Sequence, residues 1–103
     1  NMKQFTAILV GEEAAGVCRR IAAHALPECS LSMKTLVYDA LLATDPAYRE
    51  FVLNDIRTTY GAMLEAGATA AWETKEGASA FHQAGSLCHG WSAIPVHYLR
   101  RLL

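Results

Sequence analysis

The sequence has little net charge and no long apolar run, and each of these absences argues against a class of partner. Nine Lys and Arg residues against ten Asp and Glu residues give a formal net charge of -1. That balance provides no field to attract a polyanion, so we expect no nucleic-acid partner. No apolar run approaches the roughly 20 residues that a bilayer-spanning helix needs. We therefore expect no membrane partner.

Cysteine is also scarce, with three in 103 residues. Cys18, Cys29 and Cys88 form an odd and widely spaced set, which argues against a dense disulfide framework. We predict reduced thiols that are buried as small apolar side chains. Reduced thiols fit a cytoplasmic location, and any signal peptide of a longer parent protein would lie outside these residues.

Apolar residues are abundant, at 52% of the chain, which is enough for the core of a single domain over residues 1–103. Their spacing is helical, which predicts an all-α fold of antiparallel helical hairpins. Two helices are predicted at about residues 2–10 and 12–25, and a third ends at about residue 43. A fourth covers about residues 46–66, and a fifth about 93–103.

Residues that favour helix ends stand at several of these boundaries. We expect Ser30 or Ser32 to cap the third helix, and Asp45 followed by Pro46 to begin the fourth. Gly67 is placed to end the fourth helix in a left-handed conformation. We expect Ser92 to cap the last helix, with Pro95 tolerated in its first turn.

A long loop separates the last two predicted helices. Between residues 67 and 90 neither helical nor strand spacing persists, and a loop of that length in a helical domain is typically functional or disordered. The aromatic residues Trp72, Phe81 and Trp91 favour order. Trp72 stands beside Glu73, and sugar sites use this combination because ring faces pack on C–H groups while carboxylates bond hydroxyls and move protons.

Two strings around this loop resemble segments of α-L-rhamnosidase-like glycosidases. Residues 63–74 read MLEAGATAAWET, and the family has a similar helix-to-loop passage that leads to a Trp-Glu pair. Residues 85–95 read GSLCHGWSAIP, which is similar to the segment that opens the family's last helix. Both strings occur in the family's order and at its usual separation.

The resemblance implies that the chain is the C-terminal part of a six-hairpin (α/α) barrel, a partial barrel with the long loop before its last helix. Such enzymes invert the anomeric centre with one general acid and one general base. Glu73 matches the base, and His89 matches a histidine that contacts the sugar. Trp72 and Trp91 are expected to shape the pocket for terminal L-rhamnose or a related sugar, with no cofactor.

The family's general acid has no counterpart in this sequence, so the isolated chain is expected to be inactive. An exposed apolar face, left by the missing hairpins, would favour a homo-oligomer. The alternative function is a stand-alone helical interaction or oligomerisation module without catalysis. A zinc site of His82, Cys88, His89 and His97 is disfavoured, because the sequence lacks the paired ligand spacing of such sites.

Overall fold

The computed structural model describes residues 11–103, with side chains from Ala14 onward, and the helix predicted over residues 2–10 lies outside this range. The described residues are helical without a strand, which confirms the all-α fold class. The α-helical segments are α1 (Gly11–Ala22), α2 (Lys34–Thr44), α3 (Arg49–Glu65) and α5 (Pro95–Leu102). Between α3 and α5, the short segment α4 (Ala80–Gln83) is a single turn with a left-handed backbone. Short 3-10 turns occupy Leu31–Met33, Pro46–Tyr48, Gly77–Ser79 and Gly90–Ser92. Within this range no helix has the length and hydropathy required to traverse a bilayer.

Helix α1 ends three residues before the expected position near Ala25. His24 adopts a left-handed conformation with φ 54°. The His24 amide donates to the Ile21 carbonyl at 3.0 Å and the Ala25 amide donates to the Arg20 carbonyl at 2.9 Å. This pair of hydrogen bonds is a Schellman motif, which satisfies the last carbonyl groups of the helix. The sequence prediction failed here because histidine is an uncommon residue at that position.

The boundaries of α3 agree with their predicted signals. The Asp45 carboxylate accepts a hydrogen bond from the Ala47 amide at 2.9 Å, and Pro46 begins the 3-10 turn that leads into α3. At the other end, Gly67 has φ 87°. The Ala68 amide donates to the Met63 carbonyl at 2.9 Å, completing a second Schellman motif. The predicted cap at Asp45 and stop at Gly67 are confirmed.

The predicted serine caps are wrong. Neither Ser30 nor Ser32 caps α2, whose N-cap is Met33, and the two serine hydroxyls lie 3.4 Å from each other. Ser92 does not cap α5, which begins at Pro95 with Ile94 as its N-cap. Ser30 stands at the N-cap position of the 3-10 turn before α2, but its side chain makes no capping hydrogen bond. The Ser92 hydroxyl lies against His89 Nδ1 instead.

The core forms where α1, α2, α3 and α5 meet. Val17, Cys18 and Ile21 of α1 pack on one side. The remaining buried members are Val37, Tyr38, Ala40, Leu41, Val52, Ile56 and Tyr98. Burial of such side chains stabilises a fold by about 1.5 to 3 kcal/mol each relative to exposure. The predicted apolar stripes of α1, α2 and α3 supply all of these residues except Tyr38 and Tyr98.

Two hydrogen bonds at opposite ends set the relative direction of α3 and α5. The Arg49 side chain, at the start of α3, donates to the carbonyl of Leu102, at the end of α5, at 2.8 Å. The Tyr60 hydroxyl, towards the end of α3, donates to the carbonyl of Ser92, just before α5, at 2.6 Å. Helices α3 and α5 therefore run in opposite directions.

Helices α2 and α5 run in the same direction. The Tyr98 hydroxyl lies 2.8 Å from the Thr35 hydroxyl and 2.7 Å from the Asp39 carboxylate, and Arg101 lies 3.6 Å from Asp39. The 3-10 turns that precede the two helices also contact each other. The starts of α2 and α5 thus lie at one end of the molecule. Closure of such helices into a barrel stays a prediction.

Candidate functional site

Two backbone segments of the long loop lie side by side and hold the two motif residues. The Glu73 amide donates to the Ser86 carbonyl at 2.9 Å, and the His89 amide donates to the Ala71 carbonyl at 2.8 Å. The Glu73 carbonyl accepts from the Leu31 amide at 3.2 Å, which ties the pair to the turn before α2. Glu73 and His89 are 16 positions apart in the sequence, but they therefore lie on adjacent backbone segments near the start of α2.

The Glu73 side chain is half-buried. Its Oε2 atom accepts a long hydrogen bond of 3.4 Å from the Ser86 amide, beyond the usual N–H···O range. Within residues 11–103, no other hydrogen bond or ion pair engages this carboxylate. It therefore keeps free acceptor sites for a water molecule or a hydroxyl group.

Glycine makes the close packing of this loop feasible. A Cβ atom at Gly77 would lie 2.9 Å from two ring atoms of Trp72, and Gly77 itself has φ 62°. A Cβ atom at Gly85 would lie 1.9 Å from the Gly77 carbonyl oxygen. Trp72 thus rests against a glycine backbone, and it is half-buried beside Glu73.

A buried serine orients the His89 ring. Ser92 is fully buried, and its hydroxyl lies 3.2 Å from His89 Nδ1. His89 Nδ1 is the only side-chain partner of that hydroxyl within the described part of the chain. The hydroxyl hydrogen is satisfied only if Nδ1 accepts it, which leaves the proton of neutral His89 on Nε2. The ring then offers an Nε2–H donor away from Ser92.

Tyr60 supports the same turn from α3. Its hydroxyl donates to the Ser92 carbonyl, and burial, assisted by the charge of Asp55, raises the pKa of Tyr60 to about 12. The phenol therefore stays protonated, and able to donate, at every physiological pH. The spacing of apolar residues in α3 indicates Tyr60 only as a residue of the core-facing side, and Ser92 was expected to cap the last helix. The sequence did not predict their contribution to the site. Tyr60 contacts a residue 32 positions away, and Ser92 acts through a hydroxyl that only the fold buries.

Trp91 is the most exposed of the predicted site residues. Its side chain is 78% exposed, and its ring centroid lies 5.9 Å from that of His89 with the planes tilted by 48°. Trp91 is therefore available to contact a ligand together with His89. Cys88, which precedes His89, is exposed, so the prediction that it is buried is wrong. Cys18 is buried and Cys29 half-buried, and all three thiols are free.

The loop between the two paired segments contains strained backbone. Phe81, His82 and Gln83 of α4 have φ values of 50°, 57° and 73°, a left-handed turn of three residues that are not glycine. Each left-handed residue costs about 1 kcal/mol or more.

The Lys75–Glu28 ion pair, at 2.6 Å, attaches this part of the loop to the connection between α1 and α2. In residues 11–103, no three His, Cys, Asp or Glu side chains are grouped as metal ligands.

A large concave surface lies elsewhere, between α3 and α5. This groove has a volume of about 690 Å³ and is predominantly apolar. Its lining includes Ile56, Gly61, Met63, Ala68, Pro95 and Leu99. Glu73, Trp72, His89 and Trp91 do not line it. The candidate sugar residues and the groove are therefore separate surfaces of the described chain.

Comparison with known proteins found no relative: no family model, curated protein or solved structure matches this chain.

Proposed function

We propose that this chain is the C-terminal portion of the catalytic domain of an inverting glycoside hydrolase that resembles α-L-rhamnosidases. The observation that carries the proposal is the pairing of residues 71–73 with residues 86–89. It brings together the two sequence strings on which the resemblance rests, although the second begins 11 residues after the first ends. Chance similarity of two separate strings would not require them to be neighbours in the fold.

The helix directions support the proposed barrel. A ring of antiparallel hairpins has inner helices that all begin at the same end, and α2 and α5 are neighbours that begin together. Helix α3 runs opposite to α5, as an outer helix would. The paired loop segments lie at the start of α2, attached through Leu31. That end is where several inner helices would present their loops to one substrate.

Glu73 is the proposed general base. An inverting enzyme holds a water between its base and the anomeric carbon, with roughly 6.5 to 9.5 Å between base and acid. The Glu73 carboxylate has free acceptor sites for that water and a single long bond from Ser86 to orient it. The general acid belongs to another part of the catalytic domain, so the 103-residue chain is inactive alone.

His89, Trp72 and Trp91 are the proposed sugar contacts. The Nε2–H donor of His89, fixed by Ser92, suits a hydroxyl acceptor on the sugar. Trp91 lies beside it with an exposed ring that can cover the C–H face of a pyranose. Trp72 is half-buried against Gly77 and directly precedes Glu73 in the sequence. The substrate class is a glycoside with a terminal L-rhamnose or related sugar.

The test is turnover of an aryl α-L-rhamnoside by the complete catalytic domain that contains this chain. Glu73→Gln should reduce turnover by about 10²- to 10⁴-fold, the usual contribution of a general base. Glu76→Gln is the matched control, since Glu76 is an exposed carboxylate of the same loop, and it should leave turnover unchanged. Near-normal turnover of Glu73→Gln would remove Glu73 from the mechanism.

A second candidate function is a helical interaction module without catalysis. The groove between α3 and α5 favours it, because soluble monomers rarely expose large continuous apolar surface without a partner. The two functions separate experimentally. An interaction module would bind its partner equally well after Glu73→Gln and His89→Ala. A longer protein that contains this chain would then not release the aryl group from an aryl α-L-rhamnoside.

A further inference from the structure

The carboxylate of Glu73 depends on one residue for its direction. The backbone of Glu73 is fixed by two bonds, because its amide donates to the Ser86 carbonyl at 2.9 Å and its carbonyl accepts from the Leu31 amide at 3.2 Å. The side chain beyond that backbone is long and has several rotatable bonds. In residues 11–103 its carboxylate has a single hydrogen-bond donor, the Ser86 amide, at 3.4 Å from Oε2. The position of that amide therefore bears directly on where the carboxylate points.

The side chain of Ser86 closes a small hydrogen-bonded turn beside this amide. Its hydroxyl donates to the Cys88 carbonyl at 3.0 Å. The Cys88 amide donates back to the same hydroxyl oxygen at 3.4 Å. A hydroxyl group can make both bonds at once, because it has one hydrogen to donate and two lone pairs that accept. Local bonds of this kind restrain the backbone on which the serine stands.

Burial contributes little to the conformation of this turn. Leu87, between the two bonded residues, is 48% exposed, and Cys88 is exposed as well. A segment with few buried contacts opens easily unless hydrogen bonds hold it. The Ser86 hydroxyl therefore restrains the part of the loop that lies between the two flanking backbone bonds, from Glu73 to Ser86 and from His89 to Ala71.

We propose that Ser86 is a positioning residue for the general base, whose hydroxyl holds residues 86–88 so that the Ser86 amide meets the Glu73 carboxylate. The role of Glu73 as a base rests on the proposed function, but the contact between the two residues does not. A bond of 3.4 Å is long, as catalytic hydrogen bonds often are before substrate binds. It limits the rotation of the carboxylate and leaves the other lone pairs for the water that the base activates.

The contact is tested first in the 103-residue chain by NMR. The signal of an amide that donates to a carboxylate moves when the carboxylate takes up a proton, so the Ser86 amide signal should move as the pH is lowered from about 7 to about 3. Glu73→Gln should abolish this movement, because glutamine does not titrate. Ser86→Ala should reduce it by about half or more, because the turn loses its side-chain bonds. Ser86→Thr keeps the hydroxyl and should retain the movement.

Two controls separate the positioning of the carboxylate from the folding of the loop. Ser79→Ala removes another serine hydroxyl of the same loop, one that donates to the Glu76 carbonyl at 2.9 Å, and it should leave the Ser86 amide signal unchanged. The His89 amide, bonded to the Ala71 carbonyl, should exchange its hydrogen at the same rate in Ser86→Ala as in the unmodified protein. The Ser86 hydroxyl takes no part in that bond.

Turnover by the complete catalytic domain provides the second readout. With an aryl α-L-rhamnoside, Ser86→Ala should lower kcat by about 10- to 10²-fold, because the base is misplaced. KM should stay nearly unchanged, since the Ser86 hydroxyl bonds to the Cys88 backbone. Ser86→Thr should restore kcat, and Ser79→Ala should not change it.

The results separate this inference from the proposed function. An amide signal at residue 86 that still moves in Glu73→Gln, or that moves equally in Ser86→Ala, would overturn the positioning role. Faster exchange of the His89 amide in Ser86→Ala would also overturn it, because the hydroxyl would then stabilise the loop as a whole. A domain that loses turnover in Glu73→Gln but keeps it in Ser86→Ala would overturn this inference alone. An unmodified domain without turnover would overturn the proposed function, and the amide measurement would then decide the contact by itself.

Discussion

Replacing Asp55 by asparagine tests how a buried polar triad joins α2 to α3. The Asp55 carboxylate accepts hydrogen bonds from Lys34 Nζ at 2.7 Å and from the Tyr38 hydroxyl at 2.5 Å. The side chains of Lys34 and Asp55 are 7% and 13% exposed. Within residues 11–103, Asp55 is the partner of the Lys34 ammonium, whereas Asp55 has a second partner in Tyr38. The two single substitutions should therefore differ in cost.

The asymmetry follows from which charge stays buried without a partner. Asp55→Asn leaves the Lys34 ammonium unpaired, and breaking a buried pair in this way costs about 3 to 5 kcal/mol. Lys34→Met removes the cation and adds apolar volume, while Asp55 keeps the Tyr38 hydrogen bond. We expect it to cost about 1.5 to 3 kcal/mol, the loss of one hydrogen bond to a charged group. Since small domains have about 5 to 15 kcal/mol of total stability, only the first substitution should approach the limit of folding.

The assay is urea unfolding at pH 7, followed by circular dichroism. With a denaturant slope of about 1.5 to 2 kcal/mol per M, Asp55→Asn should lower the midpoint by roughly 2 M and Lys34→Met by roughly 1 M. The matched control is Glu50→Gln, because Glu50 is an exposed carboxylate of α3 that pairs with Arg49, and it should change the midpoint little. Equal costs for Asp55→Asn and Lys34→Met would refute the argument.

Three further outcomes are expected. Gly85→Ala should disorder the paired loop segments, because its Cβ would lie 1.9 Å from a backbone oxygen. The amides of these segments should then exchange hydrogen faster. Gly90→Ala is the control, and it should leave exchange unchanged because the space around Gly90 is open. Burial raises the pKa of Tyr60 from about 10 to about 12, and because the side chain is only half-buried, solvent screening reduces the linked stability to on the order of 1 kcal/mol. This stability is present below pH 10 and should be lost as pH rises through 12. Tyr60→Phe should lessen the loss in urea titrations. Nitrogen chemical shifts of the His89 ring should show the proton on Nε2 in the unmodified protein and mixed tautomers after Ser92→Ala. A proton on Nδ1 in the unmodified protein would contradict the hydrogen-bond assignment.

The helices that the sequence determined are those whose signals are local. The apolar period of α3, its cap at Asp45 and its stop at Gly67 involve contacts no more than five residues apart. Such contacts form in nearly the same way in any fold. The early end of α1 is a local event too, but histidine carries a weak signal for the left-handed conformation that His24 adopts.

The candidate site divides in the same way. The residue types at Trp72, Glu73 and His89 could be read from the two strings, because their chemistry is a property of each side chain. The adjacency of Glu73 and His89 could not, since it depends on hydrogen bonds between residues 13 and 18 positions apart. The orientation of His89 depends on Ser92, which the sequence suggested as a helix cap. The hydrogen-bond partner of a buried hydroxyl depends on which polar atoms the fold brings within reach.

Composition and packing determine different properties of this chain. The sequence alone determined that the chain has a net charge of -1, ample apolar residues and helical spacing, which decided its all-helical class. Only the tertiary structure decided that Lys34 is buried with Asp55, that Cys88 is exposed, and that an apolar groove remains open between α3 and α5. The reason is physical: composition fixes how much apolar surface exists, and the packing of distant helices decides which part of it stays uncovered.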